Sequence, residues 1–195
     1  MGRKKSYDRS EAAERALHTF WEKGYQQTSL RDLEVATGVN RYGLYDSFTD
    51  KEGLFRECID DYASQVAEGL EEMSAQGMDG LMAMIGRFAE PHVDDKSCQH
   101  GCLIVTSLLE RDHFSEDIRQ RLDQHIATLL GHVRGILVRE QEAIHLRADL
   151  VIEECVEFIH LLLVGLPTMS RLSSDRSGMQ LAAKAALRTL ESWRC

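Results

Sequence analysis

Thr28-Ser-Leu-Arg-Asp-Leu-Glu-Val-Ala-Thr-Gly38-Val-Asn40-Arg-Tyr-Gly-Leu-Tyr-Asp-Ser-Phe48 decides the fold of this chain. Thr28 or Ser29 can cap a short helix whose apolar residues Leu30, Leu33 and Ala36 recur at helical spacing, and Gly38 supplies the turn that ends it. Asn40 caps a second short helix. Leu44 and Phe48, four residues apart, share its inward face, which leaves Arg41, Tyr42 and Tyr45 on other faces.

The flanks extend the pattern in both directions. From Arg9 to Lys23, Ala13, Ala16, Leu17 and Phe20 mark a first helix with Gly24 as its stop. Thr49-Asp-Lys-Glu52 has the form of a capping box and opens a fourth helix, from Lys51 to about Met73, carrying Phe55, Ile59, Tyr62 and Val66. Two short helices joined by a tight glycine turn, with a longer helix on either side, make a helix-turn-helix arrangement. Its second short helix must offer base readers near its amino end. Arg41 and Tyr42 suit base edges, whereas Thr28, Ser29, Asn40, Tyr45, Ser47 and Lys51 surround them with hydroxyls, an amide and a charge for phosphate.

The 195 residues carry a net charge of −9, which by itself argues against a polyanionic partner. The average hides a division. Through Arg56 the basic and acidic residues nearly balance, with Arg3, Lys4 and Lys5 preceding the first acid, Asp8, and the acidic excess lies beyond. Two prolines and the lack of alternating β-branched runs predict an all-α chain. The longest uninterrupted apolar run, near Leu161–Leu166, is short of a membrane span, and the amino terminus lacks an apolar signal core. The five cysteines are an odd number and suit a reducing compartment. A cytoplasmic protein with no membrane partner is expected.

With these residues in view, Phe20-Trp-Glu-Lys-Gly-Tyr25, Thr28-Ser-Leu-Arg-Asp-Leu, Ala36-Thr-Gly-Val-Asn40, Leu44-Tyr45, Phe48 and Lys51-Glu-Gly-Leu-Phe55 resemble the amino-terminal domain of the TetR-type transcriptional repressors. The resemblance covers roughly the first 55 residues. It implies a DNA-binding domain at 1–50 with a basic arm and a helical ligand-sensing and dimerisation domain at 51–195. It also implies a homodimer that binds a pseudo-palindromic double-stranded operator and is released by a small-molecule or electrophile inducer. Two departures stand out: Ser47 replaces a frequent histidine, and Tyr42 replaces a small residue. Asp46 adds a negative charge beside the groove.

In the body, Ser115 can cap a long helix bearing Ile118, Leu122, Ile126, Leu129, Val133 and Ile136. A second runs from about Asp149 to Leu172, bent by Pro167, and a last one carries Leu181, Ala185, Leu187 and Leu190. By the resemblance the last two helices pair with their twofold mates. Gly165, Ala182, Ala183, Ala185 and Ala186 would allow close approach there, and packing within one chain explains them equally well.

Between these helices lie Cys98, His100 and Cys102. The Gly101-Cys-Leu step resembles a TetR subgroup that includes electrophile-responsive and acrylate-responsive repressors, although that subgroup often has Asn where this chain has Thr106. A thiolate at Cys102 would be favoured by the helix start and by His100. With His92, the same residues offer four zinc-type ligands, but they lack the usual paired spacing, and no metal or other cofactor is expected. Three E-x-x-H pairs, Glu110/His113, Glu142/His145 and Glu157/His160, give the alternative reading of a helical di-metal enzyme. Patterns for other enzyme classes are absent, so the expected protein is not an enzyme.

Overall fold

The computed structural model describes residues 7–90, 100–172 and 175–195. Among them the elements are α1 (Arg9–Lys23), α2 (Leu30–Thr37), α3 (Arg41–Phe48), α4 (Lys51–Gln76), α5 (Met78–Ala89), α6 (Leu103–Leu108), a 3-10 turn (Arg111–His113), α7 (Glu116–Glu142), α8 (Ile152–Leu172) and α9 (Ser177–Glu191). The described residues form no β-strand, only an isolated bridge between Leu146 and Arg194. Cys98 and His92, and the basic arm Arg3–Lys5, lie outside the described residues.

The helix limits follow the capping chemistry. Asp8 caps α1, accepting from the Ser10 and Glu11 amides, and Asn40 caps α3 through Gly43. Ser29 caps α2 in a reciprocal box with Asp32, and Gly38 closes it at φ 70°, a conformation glycine adopts without Cβ strain. The fourth helix differs from expectation. Its cap is Asp50, which accepts from Gly53, while Thr49 terminates α3 at φ 73°. A carboxylate next to the helix start outcompetes the hydroxyl one residue earlier, and the helix runs on to Gln76.

Two apolar cores result. The first joins α1, α2, α3 and the first half of α4 and continues into the body through Leu103, Ile104, Phe114, Ile118 and Leu122. Phe55 stacks on Phe114 at 5.1 Å and meets Phe20 edge-on at 4.9 Å. The head therefore shares its core across residue 50. The second core gathers the rest of α4 with α5, α7, α8 and α9.

The outer face of the last two helices is decided by burial. Ala183 and Ala186 are buried inside the single chain, so they serve intramolecular packing, whereas Leu161, Leu172 and Leu181 are 66%, 79% and 68% exposed. By length and composition alone α8 is long and apolar enough to cross a membrane, although its uninterrupted apolar run is short, because His160, Pro167 and Thr168 bound that run without adding Asp, Glu, Lys or Arg. It packs against α7 and α9, and its amino end carries Glu153, Glu154 and Glu157.

Candidate functional site

The recognition helix α3 is eight residues long and stands on two buried side chains, Leu44 and Phe48. Around its amino end Asn40, Arg41 and Tyr42 are exposed, Tyr42 to 87%. The Arg41 amide donates to Glu34 Oε1 at 2.6 Å, so α2 holds the start of α3, and the Arg41 guanidinium lies 5.2 Å from the centre of the Tyr45 ring. Arginine stacked on tyrosine keeps its donor edge free to reach outward while losing little rotamer freedom.

Other expected contacts are placed differently. Thr28 is buried, and its hydroxyl donates to the Gly24 carbonyl at 2.6 Å, so it builds the turn and presents no free hydroxyl to a phosphate. Ser29 stays exposed, but its hydroxyl is shared with Asp32 at 2.6 Å. Asp32 also bonds Lys23 at 2.6 Å, and these partners hold its carboxyl well below the usual carboxylate range. Lys51 is partly buried: its ammonium donates to the Tyr25 carbonyl at 2.6 Å and lies 4.2 Å from the centre of the Tyr25 ring. Burial lowers its pKa. Burial, reinforced by Glu52 and Asp50, pushes the Tyr25 phenol up to about 12.

One partner of α3 escaped the sequence reading. The Tyr7 hydroxyl donates to the Gly43 carbonyl at 2.6 Å and receives the Ser47 hydroxyl. Tyr7 thus clasps one side of the recognition helix. Its lone position ahead of α1 carries no periodicity that could have announced this.

In the body, α4, α5, α6, α7 and α8 line a half-open cavity of about 480 Å³. Its wall is mostly apolar, with Asp60, Arg87, Cys102 and His125 among the polar members. Cys102 is the cap residue of α6 and half-buried. That helix has six residues, less than two turns, so its end charge is a weak influence on the thiol. The closer influence is Tyr62, whose hydroxyl donates to Cys102 Sγ at 3.5 Å. The His100 ring lies 6.5 Å from that of Trp21. Burial pushes the thiols of Cys58 and Cys155 up.

Among the described residues no group of three or more His, Cys, Asp or Glu side chains is arranged for a metal ion. Glu110 is engaged with the Tyr25 amide at 2.8 Å, His145 with Glu140 at 2.9 Å, and His160 with Glu157 on one exposed helix face. The three E-x-x-H pairs form no common site, and the di-metal enzyme reading has no support.

The cavity and the head are joined through a compact contact set. Trp21 Nε1 donates to the Gly101 carbonyl at 2.8 Å, and its ring meets Tyr62 edge-on at 5.2 Å. Gly101 has φ 76°, and a Cβ there would stand 2.8 Å from the Pro167 carbonyl oxygen, so glycine is required twice over. Arg171, one turn further along α8, donates to the carbonyls of Trp21 at 3.0 Å and Glu22 at 3.2 Å.

Residues 13–58 match a family model described as bacterial regulatory proteins, tetR family, and residues 77–186 match one described as tetracyclin repressor-like, C-terminal domain. The chain is 28% identical to the HTH-type transcriptional repressor ComR of Escherichia coli, over 96% of this chain and 90% of that protein. It is 30% identical to the HTH-type transcriptional repressor AcnR of Corynebacterium glutamicum, over 90% and 87%. Among solved structures it is similar to a cysteine mutant of the TetR family regulator CifR in complex with 26-base-pair operator DNA. That match has a TM-score of 0.81 and 26% identity, over 96% of this chain and 98% of that one. Reduced NemR of E. coli shares the fold, with a TM-score of 0.80 at 17% identity.

Proposed function

The chain belongs to the TetR family of bacterial transcriptional regulators, and from that premise we propose that it is a repressor whose two recognition helices, one per protomer, occupy successive major grooves of a pseudo-palindromic operator in the cytoplasm. The observation that carries this is α3 itself. Its amino end presents Arg41 and Tyr42 outward, while hydrogen bonds between its backbone and Glu34, Asn40 and Tyr7 hold the helix.

Arg41 and Tyr42 read base edges. Asn40 and Tyr45 and the amides around them lie against the backbone, while the hydroxyls of Ser29 and Ser47 are taken up by Asp32 and Tyr7 and Lys51 anchors Tyr25 at the same edge. The exposed leucines of α8 and α9 meet their twofold mates. Twofold symmetry of the protein then matches that of the operator.

Ligand response follows from the path between cavity and head. Inducer in the cavity displaces Cys102, Tyr62 or Pro167, and the contacts of Trp21 and Arg171 carry the displacement into α1. The inducer acts only through its preference for the form that fits the operator poorly. Cys102 in the cavity wall is our candidate for an electrophile-reactive position. Operator binding followed by fluorescence anisotropy, with and without inducer, tests the whole reading: a dimer that shows no preference for any operator sequence over random DNA would overturn it.

A further inference from the structure

The cavity wall is apolar over most of its extent, through Val66, Leu70, Phe88, Ile104, Leu129 and Leu163. Asp60, Tyr62, Ser64, Arg87, His125 and Thr128 interrupt it with polar groups. His125 reaches the cavity from α7, and its Nε2 is buried with no protein group in hydrogen-bonding reach, which among the described side-chain nitrogens and oxygens is true of this atom alone. Buried polar atoms are as a rule paired, because leaving one unpaired costs its desolvation. Burial also lowers the pKa of His125, so the ring is neutral at neutral pH. The charges around it cancel: Asp60, which shares the wall, is bound by Arg121 at 2.8 Å.

We propose that this cavity selects a neutral, mostly apolar small molecule bearing one carbonyl oxygen, a ketone or an ester, and that His125 Nε2–H donates to that oxygen. The apolar wall supplies affinity and the unpaired polar atom fixes orientation, the usual division of labour in a small-molecule pocket. A carboxylate is disfavoured beside neutral His125, since no net positive charge offsets its desolvation there. Arg87, elsewhere in the wall, defines the competing case. The inference rests on the ligand-responsive reading given above.

Calorimetry on the full-length protein without DNA tests it, with butyrophenone, butylbenzene and 4-phenylbutyrate as probes of similar size. The wild type should bind the ketone roughly fivefold more tightly than the hydrocarbon, the equivalent of one ordinary hydrogen bond. His125→Leu should lose that preference yet bind butylbenzene at least as well, which also shows that the cavity is intact, and His125→Gln should retain part of the preference. An unchanged preference in His125→Leu would overturn the proposal, as would tightest binding of the carboxylate or no binding of any probe. If the ketone binds with the expected preference but leaves operator affinity unaltered, the His125 subsite stands and the inducer role of the cavity falls.

Discussion

Glu110 Oε2 accepts the backbone N–H of Tyr25 at 2.8 Å, while its Oε1 lies 2.9 Å from the point where a Cβ on Gly24 would sit. A carboxylate from the body thus closes the turn that ends α1 in the head. The same turn is held from the other side by Lys51, whose ammonium binds the Tyr25 carbonyl at 2.6 Å. Glu110→Ala leaves the Tyr25 amide without its partner and should destabilise the protein by about 1–2 kcal/mol. Gly24→Ala, strained at φ 84° and pressed on the same carboxylate, should cost a similar amount. A double-mutant cycle by chemical denaturation should show less than additive loss, because Glu110→Ala removes the clash; strict additivity would sever the two residues.

Arg41→Ala should weaken operator binding by about 1–3 kcal/mol and relax discrimination at one base position, as expected for a bidentate contact to guanine. Binding to a panel of single-base operator variants reads this directly. A loss equal on all sequences assigns Arg41 to phosphate instead.

For assembly, Leu172→Glu and Leu181→Glu place charge on the exposed face of α8 and α9 without touching the core. Each should shift sedimentation from dimer to monomer and lower operator affinity by roughly 10²-fold or more, since the second half-site is then no longer tethered. Ala186→Glu would act differently. Ala186 is 3% exposed within one chain, so a charge there should lower the melting temperature before it affects assembly.

Electrophile labelling should distinguish the cysteines by burial. Cys58 and Cys155 are buried and their thiols pushed to higher pKa, so N-ethylmaleimide should modify Cys102 and the exposed Cys195 first. Operator release should follow labelling of Cys102 and disappear in Cys102→Ser. Identical release in that variant removes the cysteine as a sensor.

The Ser29–Asp32 box carries a pH dependence of known sign. Hydrogen bonds from Lys23 and Ser29 depress the folded pKa of Asp32, so its contribution is complete above the unfolded value of about 4 and is lost as pH falls through the depressed folded value. The stability gap between wild type and Asp32→Ala should therefore be constant near neutrality and narrow in acid. A gap that widens in acid would contradict the assignment.

Local chemistry in the sequence determined much of this protein. Capping residues, glycine stops and apolar spacing set α1, α2 and α3 at the observed residues, because each depends on neighbours within a turn or two of chain. The one shifted cap, Asp50 in place of Thr49, involved two adjacent acceptors that spacing alone cannot rank. Tertiary structure decided where long-range partners draw each side chain. Thr28 and Lys51 have the chemistry of phosphate contacts, yet the Gly24 and Tyr25 carbonyls engage them. Ala183 and Ala186 face their own chain, and Leu172 and Leu181 face outward, a choice between two faces of an alanine-rich helix pair that periodicity leaves open. Tyr7 and Arg171 acquire their roles only when α3 and the end of α1 are brought to them, since a hydrogen bond between residues far apart in sequence has no local signature.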